Sequence, residues 1–175
     1  MVHDKTINVL QEKWDYLIIL DACRYDYFEQ VHGHFLSGKL CKRYSVASNT
    51  NEWLKKTFPD YYDDIIYISA NPHISKALEV YGYRAGEHFH QVYELWKTGW
   101  DERIGTVRPE HVTTQATDIL KKINTTDKKI IIHYLQPHAP YLNLDPDVSS
   151  YQGGVKRPEE FDSSCSKVRS PKMSR

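Results

Sequence analysis

Three short runs of apolar residues interrupt an otherwise polar chain, and they predict the strands of one sheet. The runs are Tyr16–Leu20, Ile65–Ile68 and Lys129–Leu135. Each run is largely apolar at successive positions rather than at alternate ones, which is typical of strands covered on both faces in a parallel sheet. Each also ends in polar residues, so polar side chains are predicted along one edge of that sheet.

Helical patterns separate these strands. Apolar residues spaced as on one face of a helix, together with stop signals such as Pro59 and Gly82, predict four helices. They are Tyr25–His32, Glu52–Phe58, Ile74–Tyr81 and a helix that Pro109 opens and that runs to Ile123. Asn49 and Thr50 are both candidates to cap the second helix. Alternating strands and helices predict an α/β fold with a mainly parallel central sheet.

Two further segments are less regular. Leu40–Val46 alternates weakly and is a candidate edge strand, whereas Glu87–Gly105 is interpreted as an inserted loop or short helices. His88 and His90, in the second segment, have the spacing of a metal-ligand pair. Exposed loop histidines are the favoured interpretation, because a metal site needs further ligands that this spacing does not supply.

Composition bears on the expected partners, location and domain organisation of the chain. The chain of 175 residues carries 23 basic and 23 acidic residues, so its formal charge gives no argument for nucleic acid or an acidic membrane as partner. No apolar run is long enough to span a membrane. Cys23, Cys41 and Cys165 lack paired or metal-type spacing and indicate a reducing, cytoplasmic location. One domain is predicted over 1–147, followed by a disordered tail over 148–175 that lacks apolar periodicity.

Residues capable of chemistry follow the strands and open the second helix. Asp21 comes directly after the first strand, where it would hold a divalent cation or, alternatively, only cap the next helix. Thr50 lies at a helix start, where free amides and the positive end of the helix dipole favour a bound anion and an alkoxide. His138 follows the third strand and would bind substrate or protonate a leaving oxygen. Together they predict transfer or hydrolysis of a phosphate or sulfate ester through a covalent Thr50 intermediate.

Three segments also resemble a known family. They are Leu20-Asp21-Ala22-Cys23-Arg24-Tyr25-Asp26, Ser48-Asn49-Thr50-Asn51-Glu52-Trp53-Leu54 and His133-Tyr134-Leu135-Gln136-Pro137-His138-Ala139-Pro140-Tyr141. In this order, over roughly residues 14 to 145, they are similar to the sulfatase-like branch of the alkaline phosphatase superfamily, in particular its microbial, mostly archaeal, members. The resemblance implies a three-layer α/β/α sandwich. It also implies metal ligands (Asp21, Thr50), catalytic residues (Thr50, His138) and substrate-binding residues (Arg24, Ser48, Asn49).

The resemblance leaves several choices open. Ser48 competes with Thr50 for the role of nucleophile. Family members that oxidise a Cys or Ser to an aldehyde show Pro and then Arg shortly after that residue, and no candidate here has this context, so direct attack by Thr50 is preferred. The expected cation is Mn²⁺, Zn²⁺, Mg²⁺ or Ca²⁺. The expected substrate is a small molecule or a glycan or lipid headgroup that carries the ester.

The family's later metal ligands have no counterpart. No Asp-His pair follows Tyr141 and no histidine follows His138, so the sequence is interpreted as a truncated copy with an incomplete sheet. Such a fragment would bind a cation weakly, would be inactive if those ligands are essential, and would self-associate through an exposed sheet edge. Two alternatives stay open. One is a vestigial or anion-binding module without catalysis; the other, disfavoured because no Gly-rich loop or Asp-x-Asp element stands at a strand end, is a nucleotide-sugar glycosyltransferase-like domain.

Overall fold

The sheet predicted from the three apolar runs is present and gains a fourth strand. The computed structural model describes residues 6–143 and 155–158. In chain order, the strands and α-helices are β1 (Thr6–Ile7), β2 (Tyr16–Leu20), α1 (Tyr25–Phe35), β3 (Tyr44–Ser45), α2 (Thr50–Thr57), β4 (Tyr62–Ser69), β5 (Phe89–Glu94), α3 (Trp96–Gly99), β6 (Trp100–Asp101), β7 (Thr106–Val107), α4 (Pro109–Lys122) and β8 (Lys129–Tyr134). The central sheet has the order β2-β8-β4-β5, and each neighbouring pair is parallel. The protein is therefore a mixed α/β fold with a parallel central sheet, as predicted.

The two central strands are apolar at successive positions because each of their faces is covered. Successive side chains of a strand point to opposite faces. Ile132 of β8 belongs to a core cluster with Val112 of α4, whereas Ile131 belongs to a second cluster with Leu54 of α2. The two faces of the sheet are called here the α4 face and the α2 face.

Strand β2 forms one edge of the sheet, and its α4 face is open. Ile18 is in register with Ile132 of β8, yet Ile18 is 60% exposed and Ile132 only 9%. Tyr16 and Leu20, on the same face of β2, are exposed as well. On the α2 face, Ile19 packs against the core. Helix α1, which follows β2 in the chain, buries none of its residues.

The opposite edge of the sheet is β5, which falls within the segment predicted to be irregular. Phe89 and Val92 are buried there, while His90 is exposed. An edge strand that presents a polar side to solvent lacks the continuous apolar run of a central strand, so the sequence pattern is weak. The candidate edge strand over Leu40–Val46 is reduced to the two residues of β3, which pair with β1 and not with the central sheet.

Ile74–Tyr81, predicted to be a helix, is irregular instead, with an isolated bridge between Val80 and Tyr83. The Ser75 hydroxyl donates to Glu94 Oε1 at 2.9 Å, and the backbone N–H of Lys76 donates to the same oxygen at 3.0 Å. The Ser75 carbonyl accepts from the N–H of Ala85 at 2.9 Å. The bond to Ala85 occupies a carbonyl that a helix would pair within itself, and the Ser75 hydroxyl accepts from the N–H of Leu78 at 3.2 Å, which is a local alternative to helical pairing.

Residues 155–158 are the described part of the predicted tail, and the rest of 148–175 lies outside the described residues. Val155 packs against the core on the α4 face. Arg157 pairs with Glu102, with Nη1 and Oε1 2.8 Å apart. This short segment therefore contacts the body of the fold.

Among the described helices, none combines the length and the apolar character needed to cross a membrane. Cys23 and Cys41 are free thiols, and Cys165 lies outside the described residues. The cytoplasmic location stays a prediction.

Candidate functional site

The carboxyl ends of β2, β4 and β8 meet the start of α2 around a cleft of about 460 Å³. Its polar lining consists of Asp21, Cys23, Ser45, Ser48, Asn49, Thr50, Asn51, Asn71, His73, His133 and His138. Within the described part of the chain, Asp21 is the one acidic side chain of this lining, and neither Lys nor Arg contributes to it. Positive charge for a bound anion must therefore come from the histidines, the helix terminus or a cation.

Asp21 is fixed by the register of the sheet. It follows β2 directly, and its backbone N–H donates to the carbonyl of Tyr134 at 3.2 Å, which continues the pairing with β8 by one residue. Ala22 then adopts a φ of 57°, a left-handed conformation that is uncommon for residues other than glycine. This turn ends the strand pairing and leaves the Asp21 carboxylate in the cleft, with only 13% of its side chain exposed.

Four side chains act on the Asp21 carboxylate. Asn71 Nδ2 donates to Oδ2 at 2.6 Å, while Thr50 Oγ1 lies 3.5 Å from both carboxylate oxygens. His133 Nε2 lies 3.5 Å from Oδ2. Burial by itself raises the pKa of Asp21, but His133, His138 and Asn71 outweigh burial and hold that pKa below its usual value. Asp21 is therefore an ionised carboxylate at neutral pH.

Thr50 is the first residue of α2, two positions earlier than the predicted helix start. Asn49 is the N-cap: its Oδ1 accepts from the N–H of Glu52 at 3.0 Å, which decides between the two predicted caps. The first amides of a helix have no carbonyl partner within it, so they and the helix dipole stabilise negative charge. The Thr50 hydroxyl thus lies between the Asp21 carboxylate and the positive end of a helix.

Asn71 contributes to the site from the carboxyl end of β4. It stands two residues beyond that strand, in a turn where its N–H donates to Ser69 Oγ at 2.9 Å. Its Oδ1 accepts from the N–H of His73 at 2.8 Å. Because the turn uses the amide oxygen, the amide nitrogen is the atom directed at Asp21. The orientation of Asn71 is therefore set by the local backbone.

His133 lies within β8 and is 1% exposed. Its Nδ1 is 3.0 Å from the hydroxyl of Tyr67, and burial raises the pKa of Tyr67 well above its usual value, so the phenol stays neutral. His133 Nε2 is buried and has no hydrogen-bond partner. Its 3.5 Å separation from Asp21 Oδ2 exceeds the length of an N–H···O hydrogen bond, so we treat that approach as an electrostatic contact.

His138 and His73 line the cleft from loops. His138 Nδ1 donates to the carbonyl of Ala139 at 2.6 Å, because a carbonyl can only accept, and Nε2 is left for other partners. Burial lowers the pKa of His73, and Asp21 opposes that shift while His138 and His133 reinforce it. The cleft therefore joins one carboxylate to three imidazoles.

The predicted site residues are not all brought together. The residues that line the cleft are Asp21, Ser48, Asn49, Thr50 and His138. Arg24 does not line it: its Nη2 donates to Asp26 Oδ2 at 2.6 Å, and its guanidinium lies over the ring of Tyr27. With 67% of its side chain exposed, Arg24 is oriented along helix α1 and away from the cleft lining.

Comparison with known proteins adds no relative. No family model, characterised protein or solved structure matches this chain.

The donor atoms around Asp21 fit a divalent cation. Among the described residues, no three His, Cys, Asp or Glu side chains are grouped as a metal site. Asp21 nevertheless has the Thr50 hydroxyl and the unpaired His133 Nε2 beside it, each at 3.5 Å. Carboxylate, hydroxyl and imidazole groups all bind divalent cations in proteins. The set supplies three donor groups, and two of them, the Asp21 carboxylate and the His133 imidazole, belong to residue types that are common metal ligands.

Sequence reasoning did not identify Asn71, His73 or His133 as site residues. A signal existed for two of them. Asn71 follows a buried strand, as Asp21 does, and His133 is a lone imidazole in an otherwise apolar strand. Nothing in the sequence distinguishes His73 from the exposed histidines of other loops.

Proposed function

We propose that the cleft binds a divalent cation together with a sulfate or phosphate ester, and that Thr50 is the nucleophile that cleaves or transfers the ester group. The observation that supports this most strongly is the position of Thr50 Oγ1. It lies 3.5 Å from both oxygens of Asp21 and at the amino terminus of α2. A hydroxyl in that position has both a neighbouring base and a local positive potential that favours its alkoxide.

A cation is part of the proposal for an electrostatic reason. A tetrahedral anion beside Asp21 would be repelled by the carboxylate, and the described lining of the cleft offers no Lys or Arg to offset that repulsion. Asp21 and Thr50 are the residues that would hold the cation. When bound, it would supply positive charge to the ester oxygens and to the Thr50 alkoxide.

Thr50 and His138 have separate roles in the proposed reaction. Thr50 Oγ1 passes its proton to the Asp21 carboxylate as it forms a bond to the phosphorus or sulfur atom, and the bond from that atom to the ester oxygen breaks. His138 lies in the same cleft and, as the imidazolium, donates its Nε2 proton to the departing oxygen. In the second half-reaction His138 takes a proton from water, which attacks the Thr50 ester and releases inorganic sulfate or phosphate, and the Thr50 oxygen recovers its proton from Asp21. Transfer to an alcohol follows the same path, with the alcohol in place of water.

The fold is compatible with the family proposed from the sequence. A parallel sheet with α4 packed on one face and α2 on the other supports the proposal of a three-layer α/β/α sandwich like that of the alkaline phosphatase superfamily. Functional side chains at the carboxyl ends of three strands support it further. We propose a sulfatase-like protein whose substrate is a small molecule or a glycan or lipid headgroup.

Turnover assays on a Thr50→Ala variant test the proposal. The substrates are p-nitrophenyl phosphate and p-nitrophenyl sulfate, each assayed with Mn²⁺, Zn²⁺, Mg²⁺ or Ca²⁺. We expect cation-dependent release of p-nitrophenol by the natural chain and a loss of roughly 10³-fold or more in Thr50→Ala. Thr117→Ala, which removes an exposed hydroxyl from α4, is the matched control and should retain full turnover.

Each of the other outcomes has a defined meaning. Turnover that survives in Thr50→Ala but is lost in Ser48→Ala would transfer the nucleophile role to Ser48. A folded natural chain with no turnover under any cation would contradict the enzyme and favour an anion-binding module, which equilibrium binding of inorganic phosphate or sulfate to the cleft would then test.

A further inference from the structure

His133 is a buried imidazole for which the proposed reaction has no role. It is 1% exposed, lines the cleft and keeps one ring nitrogen, Nε2, without a hydrogen-bond partner. A buried polar atom without a partner is unfavourable, so such an atom at the edge of a cleft indicates a missing partner. The Asp21 carboxylate oxygen Oδ2 lies 3.5 Å from this nitrogen.

The 3.5 Å separation between His133 Nε2 and Asp21 Oδ2 shows that no strong hydrogen bond joins the two side chains. A charge-assisted hydrogen bond between them would be about 2.8 Å long. Instead, Asp21 Oδ2 takes its short bond from Asn71 Nδ2, at 2.6 Å. His133 Nε2 is therefore left beside Asp21 with the capacity to bind a cation.

Tyr67 fixes the orientation of the His133 ring. Its hydroxyl lies 3.0 Å from His133 Nδ1, and both side chains are buried. A phenol oxygen can accept a hydrogen bond from Nδ1–H as well as donate one. A metal-bound histidine in a protein almost always donates its other ring N–H to an oxygen acceptor, which fixes the ring and its tautomer. The Tyr67 hydroxyl stands where that acceptor would be.

We propose that His133 Nε2 is a ligand of the divalent cation that Asp21 and Thr50 hold, an inference that rests on the proposed function for the presence of the cation. The spacing supports it. Asp21 Oδ2 is 3.5 Å both from His133 Nε2 and from Thr50 Oγ1. Two ligands that bind one tetrahedral cation at about 2.1 Å are about 3.4 Å apart. These separations are too long for strong hydrogen bonds and suit ligands that share a cation.

The nitrogen ligand narrows the choice of cation. Mg²⁺ and Ca²⁺ prefer oxygen ligands, whereas Zn²⁺, Mn²⁺ and Co²⁺ accept imidazole together with carboxylate and hydroxyl. The site is therefore assigned to Zn²⁺, Mn²⁺ or Co²⁺. Asp21 supplies one negative charge and His133 and Thr50 supply neutral donors, so the site retains positive charge for the ester.

Nuclear magnetic resonance of the histidine side chains tests the assignment on the full, untagged chain. Long-range ¹H–¹⁵N correlation spectra report which ring nitrogen carries hydrogen. We expect the Nε2 resonance of His133 to shift when one equivalent of Zn²⁺ is added, with the ring hydrogen on Nδ1 in the Zn²⁺-bound chain. Mg²⁺ should leave it in place. A His133 Nε2 resonance that does not respond to Zn²⁺, or a Zn²⁺-bound chain with the His133 ring hydrogen on Nε2, would overturn the proposal.

Zn²⁺ binding measured by calorimetry provides a second readout with matched variants. His133→Gln and Asp21→Asn should each weaken Zn²⁺ binding by at least about tenfold, while His90→Gln, which alters an exposed histidine of β5, should bind as the natural chain does. Binding unchanged in a folded His133→Gln would contradict the proposal. If that variant does not fold, the spectra of the natural chain still decide. Ester turnover without a His133 response contradicts the ligand alone, whereas a response without turnover contradicts only the proposed reaction.

Discussion

The register neighbours Ile18 and Ile132 place two similar strands in opposite environments. Both residues point to the α4 face, one on β2 and the other on β8. Ile132 is buried in the core beneath α4, whereas Ile18 is largely open to solvent. A single step across the sheet therefore separates a covered strand from an uncovered one, although β2 contains five apolar residues and β8 contains a lysine and a histidine.

This contrast shows that an apolar run identifies a strand but not its place in the sheet. Parallel sheets are normally covered on both faces, so the open face of β2 is the exception in this fold. The unpaired edge of β2 and its exposed apolar side chains together match the sheet edge through which self-association is predicted from the sequence. The site lies at the end of this same strand, with Asp21 as the next residue.

The largest expected effect is the difference in stability between two matched truncations. Ile132→Ala should lower the free energy of unfolding by about 3 kcal/mol, because it removes packed methyl groups and leaves a cavity beneath α4. Ile18→Ala should lower it by less than about 1 kcal/mol, because its side chain is mostly in water. Urea denaturation at low protein concentration measures both. Equal losses would mean that the two environments are energetically alike.

A smaller effect is expected on self-association. We expect the natural chain to associate through the open face of β2 as concentration rises. Ile18→Lys places a charge in that face and should weaken association by roughly tenfold, about 1.4 kcal/mol, with little change in unfolding. Tyr61→Lys, which alters an exposed aromatic residue outside β2, is the control. Sedimentation velocity over a concentration series gives the result, and a natural chain that stays monomeric throughout would refute this role for β2.

The smallest expected effect is on the stability of the protein in acid. It comes from Asp21, where β2 meets the site. The folded-state pKa of Asp21 is below its usual value, so the folded state favours the carboxylate more than the unfolded state does. Its contribution is therefore present above the usual pKa of an Asp and is lost as pH falls through the lower, folded-state pKa. Denaturation midpoints between neutral and acidic pH should fall less steeply in Asp21→Asn than in the natural chain.

Asp26→Asn is the control for that series. Asp26 also has a lowered pKa, because of its ion pair with Arg24, but this pair is exposed and solvent screens it. Its pH dependence should match the natural chain. The lowered pKa of His73 acts in a higher pH window, and Asp21 opposes that shift, so the slopes are compared below the usual pKa of His, where the carboxylates titrate. A slope for Asp21→Asn equal to that of the natural chain would contradict the electrostatic account of the site.

The sequence predicts the parts of this molecule that depend on local pattern. The three apolar runs became β2, β4 and β8, and Pro109 opens α4 where expected. Strand β5 could not be found in this way, since an edge strand with a polar side has no continuous apolar run. The helix expected over Ile74–Tyr81 is absent because the Ser75 carbonyl bonds to the N–H of Ala85 and the Leu78 N–H bonds to the Ser75 hydroxyl, and a helix would pair both of these backbone groups within itself.

In the site, too, local sequence pattern predicts some residues and not others. Asp21, Thr50 and His138 were predicted from strand ends and a helix start, and the parallel sheet brings them to one cleft. Arg24 was predicted beside them, but the ion pair with Asp26 orients it along α1. The role proposed for His133 depends on its pairing with Tyr67, 66 positions earlier, which only tertiary packing brings into contact.

The central claim is that Thr50 attacks an ester bound in this cleft, and trapping the covalent intermediate tests it most directly. The natural chain would be quenched in acid during incubation with p-nitrophenyl phosphate or p-nitrophenyl sulfate and Zn²⁺ or Mn²⁺, digested, and sequenced by mass spectrometry. We predict one phosphoryl or sulfuryl group on Thr50, absent without the cation and absent in Asp21→Asn. A label on Ser48, or turnover that proceeds with no label on any residue of the cleft, would contradict the account.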